Sequence, residues 1–167
     1  VVDKTGTLTE GKPTLVSIVP AAGFVEDDVL RIAASVETAS EHPLALAVVN
    51  AARKRGAALA PVSAFDSPTG KGVVGTVEGR SVVLGNARFL GEHGIDIAAL
   101  EGEAERLRGE GATAIFLGID GKPAAVLAIA DPVKETTPAA LAALALEKVR
   151  VVMLTGDNAG TARAVGE

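Results

Sequence analysis

The chain has 167 residues, enough for one sizeable core or for one small domain with part of another. With 48% hydrophobic and 22% charged residues it can bury a core, which excludes intrinsic disorder. The net charge of −5 lacks the Lys and Arg surplus that nucleic acid or an anionic membrane surface demands, and the absence of cysteine excludes disulfides and thiolate metal sites.

Taken in chain order, Val1-Val2 runs into DKTGTLTEGK, a buried strand that breaks into a Thr- and Gly-rich loop with Asp3 at its tip. TLVSIVP then alternates as a strand. Apolar residues at helical spacing, Val29, Leu30, Ile32, Ala33 and Val36, predict a helix over residues 26–40. Pro43 suits the first position of a second helix that runs to Gly56 and ends in basic residues, as helix C-termini prefer. The runs GVVGTV and SVVLG are separated by Glu78-Gly79-Arg80, and TAIFLGI and PAAVLAIA lie around Asp120-Gly121; both read as tight hairpins by their turn chemistry. Residues 97–108 between them carry the pattern of a surface helix.

After the second hairpin the pattern changes. DPVKETTPAALAALALEK reads as a helix, KVRVVMLTGDN as a buried strand breaking into a Gly-Asp loop, and AGTARAVGE as the start of another helix. No apolar run reaches the roughly 20 residues that span a bilayer. The expected class is α/β (α+β): a mixed helix and antiparallel-sheet domain over residues 14–128, inserted into α/β pieces at residues 1–13 and 129–167.

Asp3 at the carboxyl end of a parallel strand stands where open α/β sheets hold their ligands. A carboxylate there can attack a phosphoryl group to give an acyl phosphate, provided Mg²⁺ and cations mask the charge repulsion. Lys4 and the following Thr and Gly residues supply a cation, hydroxyls and close backbone approach; TGDN, at a second strand end, offers a further hydroxyl and backbone donors. A single Asp at a strand end is more often a loop or capping carboxylate.

Asp3 does not stand alone. DKTGT, at Asp3, Lys4, Thr5, Gly6 and Thr7, resembles the phosphorylation motif of the P-type ATPases, ion pumps that form an aspartyl phosphate. DPVK, at Asp131, Pro132 and Lys134, resembles their hinge motif, and TGDN, at Thr155, Gly156, Asp157 and Asn158, a further one; the order matches, with an insert between the first two. SEHPLA over residues 40–45 is similar to the His-Pro motif of the heavy-metal pumps, with Glu37 five residues before His42, and TGKGVVG over residues 69–75 to their glycine loop.

The resemblance implies an antiparallel nucleotide-binding domain inserted into a truncated, haloacid-dehalogenase-like phosphorylation domain. It implies Asp3, Lys4, Thr5, Thr155, Gly156 and Asp157 as catalytic residues, with Asp3 and Thr5 at Mg²⁺. ATP would be held by Glu37, His42, Gly70, Gly72, Gly75, Gly85, Asp131 and Lys134. With no Trp or Tyr, the adenine cannot rely on an aromatic platform; His42 can stack on or hydrogen-bond the base, Glu37 can accept from its amine, and the glycines admit backbone to purine and phosphates. The four phenylalanines, Phe24, Phe65, Phe89 and Phe116, read as packing residues; Lys71 could meet a phosphate but reads more safely as a solvated loop lysine, and His42, taken alone, as a helix cap or surface residue.

By the same resemblance the partners are ATP and the transmembrane and actuator domains of the same pump, on the cytoplasmic side of the membrane, with no nucleic acid and no direct membrane contact by these residues. TEGKPT and SEHPLA are more similar to copper(I) pumps than to zinc or cadmium pumps. A later magnesium-binding motif of the family lies outside this chain, so the residues are expected to bind ATP as a monomer but to turn it over poorly, with the terminal pieces disordered, leaning on the insert, or pairing between molecules. Two rivals are a soluble haloacid-dehalogenase-type phosphatase, which wants a second acid where Thr5 stands, and a stand-alone nucleotide-binding regulator.

Overall fold

A computed structural model describes residues 1–155. Six strands form one antiparallel sheet: β2 (Thr14–Pro20), β3 (Val62–Asp66), β4 (Gly72–Val77), β5 (Arg80–Gly85), β6 (Thr113–Ile119) and β7 (Lys122–Ala130), in the order β2-β7-β6-β5-β4-β3. Both hairpins turn at the expected residues, the first over two residues instead of three because Arg80 joins β5 opposite Val77. Glu78 and Gly79 take φ of 50° and 75°, and Asp120 and Gly121 take 50° and 75°, the left-handed pair that matches strand twist in a two-residue hairpin.

Helices cover both faces, and side-chain alternation sorts the strands between them. On one face α1 (Glu26–Glu37) and α2 (Pro43–Lys54) pack on Val73, Val82, Leu84, Leu117, Ile119, Leu127 and Ile129. On the other, α3 (Ala87–Glu92) and α4 (Ala98–Gly109) pack on Val83, Phe116, Val126 and Ala128. Phe89 and Phe116 are buried in this second core, while Phe24 and Phe65 pack half-buried against the first. The short α3 is absent from the sequence expectation; its signal is Asn86, whose Oδ1 caps the helix by accepting from Phe89 N at 2.9 Å.

Two expectations shorten. The first helix ends at Glu37 instead of residue 40, where the Thr38 hydroxyl and N–H both turn back to the Ser35 carbonyl. DPVK is not helical: α5 begins only at Thr137 and runs to Leu146, because residues 131–134 are drawn into a ribbon with the chain before β2. Of the strand expected over KVRVVMLTGDN, only β8 (Met153–Leu154) forms among the described residues, pairing in parallel with β1 (Val2–Asp3). β1 and β8 thus pair within one chain, Val2 N donating to Val152 O at 2.9 Å, where disorder, leaning on the insert or pairing between molecules was expected.

β2 and β7 are neighbours, with Thr14 opposite Ala130, and carry the sheet toward these ends. Their ladder continues as a narrow ribbon: Glu10 N donates to Pro132 O at 2.8 Å, and Thr9 bridges Val133. No helix among the described residues is long and apolar enough to cross a membrane.

Candidate functional site

Two groups of predicted residues gather in separate places. The first lines a cavity of about 480 Å³ between the α1–α2 connection and the strand ends of β4 and β5. One wall carries Glu37, Glu41 and His42, the other the loop over residues 67–71 together with Gly85 and Asn86, and Val73, Leu84 and Ile115 form apolar lining. Polar groups at the rim of an apolar hollow are what a flat, partly polar ligand needs.

Glu37 closes α1 with only 7% of its surface exposed, and its Oε2 is buried with no hydrogen-bond partner. Burial pushes its carboxyl up to about 7, against a hydrogen bond from Ser40 that pulls the other way. An orphaned buried carboxylate oxygen is costly, and one that lines a cavity awaits a donor from a ligand. His42 is exposed and does cap a helix: its Nδ1 accepts from Leu44 N at 3.1 Å, opening α2 at Pro43. In the neutral ring that fixes Nε2 as the N–H donor, so cap and ligand contact are compatible.

The glycines divide differently from the sequence expectation. Gly70 takes φ +73° with open space where a side chain would stand, leaving bare backbone on the cavity wall. Gly72 and Gly85 face each other across β4 and β5, and a Cβ on Gly72 would sit 2.2 Å from Leu84 O and 2.8 Å from the Phe89 ring. A Cβ on Gly85 would sit 2.4 Å from Lys71 O. Their missing side chains therefore serve strand packing under Phe89, although both residues touch the cavity. Gly75 lies outside the lining; a Cβ there would meet Val62 at 2.6 Å and Val36 at 3.2 Å, so it lets α1 settle on the sheet and thereby sets Glu37.

The second group surrounds Asp3. Strands β1 and β8 run in parallel with Asp3 beside Leu154, so Asp3 and Thr155 emerge at the same end of the pair. Asp3 and Thr5 are exposed, and Lys4 is buried. Residues 4–8 form a tight turn closed by Thr9 N donating to Lys4 O at 3.1 Å, with Gly6 at φ +77°. Gly156 and Asp157 lie outside the described residues.

The hinge residues lock onto this turn. Asp131 accepts from the Thr9 hydroxyl through Oδ2 and from Lys12 N at 3.0 Å through Oδ1. Lys134 Nζ donates to Gly6 O at 2.7 Å, and the Thr137 hydroxyl to Leu8 O at 2.8 Å. Asp131 and Lys134, expected to position the nucleotide from the junction of the two domains, hold the Asp3 loop and lie outside the cavity lining. Thr9, fully buried at the centre of this clasp, was missed; its signal is a Thr at the end of a Thr- and Gly-rich loop, indistinguishable there from an exposed one. No group of three or more His, Cys, Asp or Glu able to hold a metal occurs among the described residues.

The family of haloacid dehalogenase-like hydrolases matches residues 1–167. The chain is 53% identical over 165 residues to the copper-exporting P-type ATPase of Legionella pneumophila, covering 99% of this chain and 22% of that protein. It therefore spans about a fifth of the length of the curated relatives it matches. A crystal structure of a zinc-transporting PIB-type ATPase in its E2.Pi state superposes over 98% of this chain and 26% of its own, with a TM-score of 0.80 at 32% identity. The N-domain of HMA6, a copper-transporting P-type ATPase, matches 71% of this chain and 98% of its own, with a TM-score of 0.60 at 27% identity. The chain therefore belongs to the haloacid dehalogenase-like hydrolase family, and the relatives and structures it resembles over nearly its whole length are heavy-metal P-type ATPases.

Proposed function

We propose that these residues are the ATP-holding portion of a metal-exporting pump, with Asp3 as its phosphoacceptor. The observation that carries the proposal is the cavity in which a buried, unpartnered Glu37 oxygen and His42 face a glycine loop. Glu37 accepts from the exocyclic amine of adenine, His42 stacks on the base or donates to it through Nε2, and the bare Gly70 backbone lies beside the sugar and phosphates.

In the whole protein an Asp3 carboxylate oxygen attacks the γ-phosphorus of ATP. The bond from that phosphorus to the β,γ-bridging oxygen breaks, ADP leaves, and water later hydrolyses the aspartyl phosphate. Lys4 offsets charge, Thr155 attends the same strand end with Asp157 two residues on in sequence, and the clasp of Thr9, Asp131 and Lys134 fixes the loop while the ribbon beside β2 and β7 joins it to the ATP-holding domain. Mg²⁺, when bound at Asp3 and Thr5, offsets repulsion between phosphate and carboxylate.

The cargo is proposed as Cu(I), on the similarity to a copper-exporting relative, and the location as the cytoplasmic face of the membrane, joined to the pump's remaining domains. The chain by itself is proposed to hold ATP with little turnover. Calorimetric titration with ATP tests the pocket: His42→Ala must weaken binding, and unchanged affinity overturns the assignment. Strong acid-stable labelling of Asp3 from ATP overturns the low turnover.

A further inference from the structure

We propose that Lys71 is the phosphate-side residue of this cavity, held in reserve by Glu92, and that the pair sets the preference for nucleotides over the bare nucleoside. The inference rests on the cavity being a nucleotide site.

Lys71 is the single Lys or Arg among the described residues that line the cavity, to which the α1–α2 connection contributes Glu37 and Glu41. A polyphosphate entering beside two carboxyl groups is repelled unless it lies against the Lys71 wall. The lysine's backbone is fixed there: Lys71 N donates to Pro68 O at 3.2 Å, Asn86 N donates to Lys71 O at 3.1 Å, and Asn86 Nδ2 donates to Gly70 O at 3.2 Å. Only its flexible side chain remains to move.

That side chain rests on α3, its Nζ 2.7 Å from Glu92 Oε2. Arg88 Nε lies 3.2 Å from the other Glu92 oxygen, so one carboxylate serves two cations. Release of Lys71 leaves Glu92 still paired with Arg88. The pair given up is half-exposed and worth little, and a polyphosphate offers the same kind of charge-assisted contact with more negative charge than one carboxylate. Exchange of Glu92 for phosphate is therefore favourable, and a ligand without phosphate has nothing to offer Lys71.

The test is calorimetric titration of the 167-residue chain with adenosine, ADP and ATP, in EDTA so that only the chain's own groups meet the phosphates. Lys71→Met is expected to weaken ATP and ADP about tenfold and leave adenosine unchanged, and Lys71→Arg to stay within about threefold of wild type. Glu92→Gln, which frees the lysine, is expected to bind ATP equally or more tightly. Equal loss for adenosine and ATP in Lys71→Met, or no loss for ATP, overturns the inference while leaving the pocket standing; weaker ATP binding by Glu92→Gln overturns the reserve role. Failure of the wild type to bind adenosine or ATP overturns the nucleotide site itself, and the inference with it.

Discussion

Thr9 and Asp131, 122 residues apart in sequence, are joined by a hydrogen bond from the threonine hydroxyl to the aspartate Oδ2. The Thr9 oxygen also accepts from Gly6 N at 3.2 Å and lies 3.1 Å from Lys4 O, so one buried hydroxyl ties the loop after Asp3 to the segment leaving β7. Its single proton goes to the carboxylate, the stronger acceptor.

Thr9→Val keeps the volume and removes that oxygen, leaving Asp131 Oδ2 and Gly6 N without it. The expected cost is about 1–3 kcal/mol, confined to the clasp. Hydrogen exchange should show the Gly6 and Lys12 amides opening at least tenfold faster, with the β6 and β7 amides unchanged. Equal acceleration in the sheet would mean that the clasp is no local unit.

Glu37 makes stability depend on pH with a definite sign. Its folded-state value of about 7 lies above the ordinary 4.5, so the folded chain keeps a proton that the unfolded chain releases. Its contribution is fully present below pH 4.5 and is lost as pH rises to about 7, a change of roughly 3 kcal/mol. Glu37→Gln has no such proton, so urea denaturation at pH 4.5 and pH 8 should show the variant gaining on wild type by about 2–3 kcal/mol at the higher pH. Parallel pH dependences would contradict this.

His42 has two separable roles. His42→Ala loses the cap on α2, costing about 1 kcal/mol, and also the proposed contact with the base. His42→Asn restores a capping oxygen without the ring. The asparagine variant is therefore expected to recover the melting temperature but not ATP affinity; recovery of both would reduce His42 to a cap.

Gly70 and Gly72, two residues apart, should respond differently to alanine. At Gly72 the new methyl meets Leu84 O and the Phe89 ring in the buried pairing of β4 with β5, which is expected to cost more than about 2 kcal/mol. At Gly70 it enters open space and costs only the strain of φ +73°, about 1–2 kcal/mol. Thermal melts rank the two.

The residues themselves determined much of this protein. Left-handed turn chemistry at Glu78-Gly79 and Asp120-Gly121 placed both hairpins, because those constraints are local to two residues. Apolar periodicity placed α1, α2 and most of α4, and the order of DKTGT, DPVK and TGDN, with SEHPLA and the glycine loop in the insert between the first two, pointed to the family. Sequence spacing did not decide which side of a glycine is crowded, or where a carboxylate 122 positions along the chain lands. Tertiary packing assigned Gly72 and Gly85 to Phe89, Gly75 to the seat of α1, and Asp131 with Lys134 to the Asp3 loop. It also shaped the Glu37 carboxyl, whose raised value comes from burial, a property set by everything folded around a residue and by nothing in the residue alone.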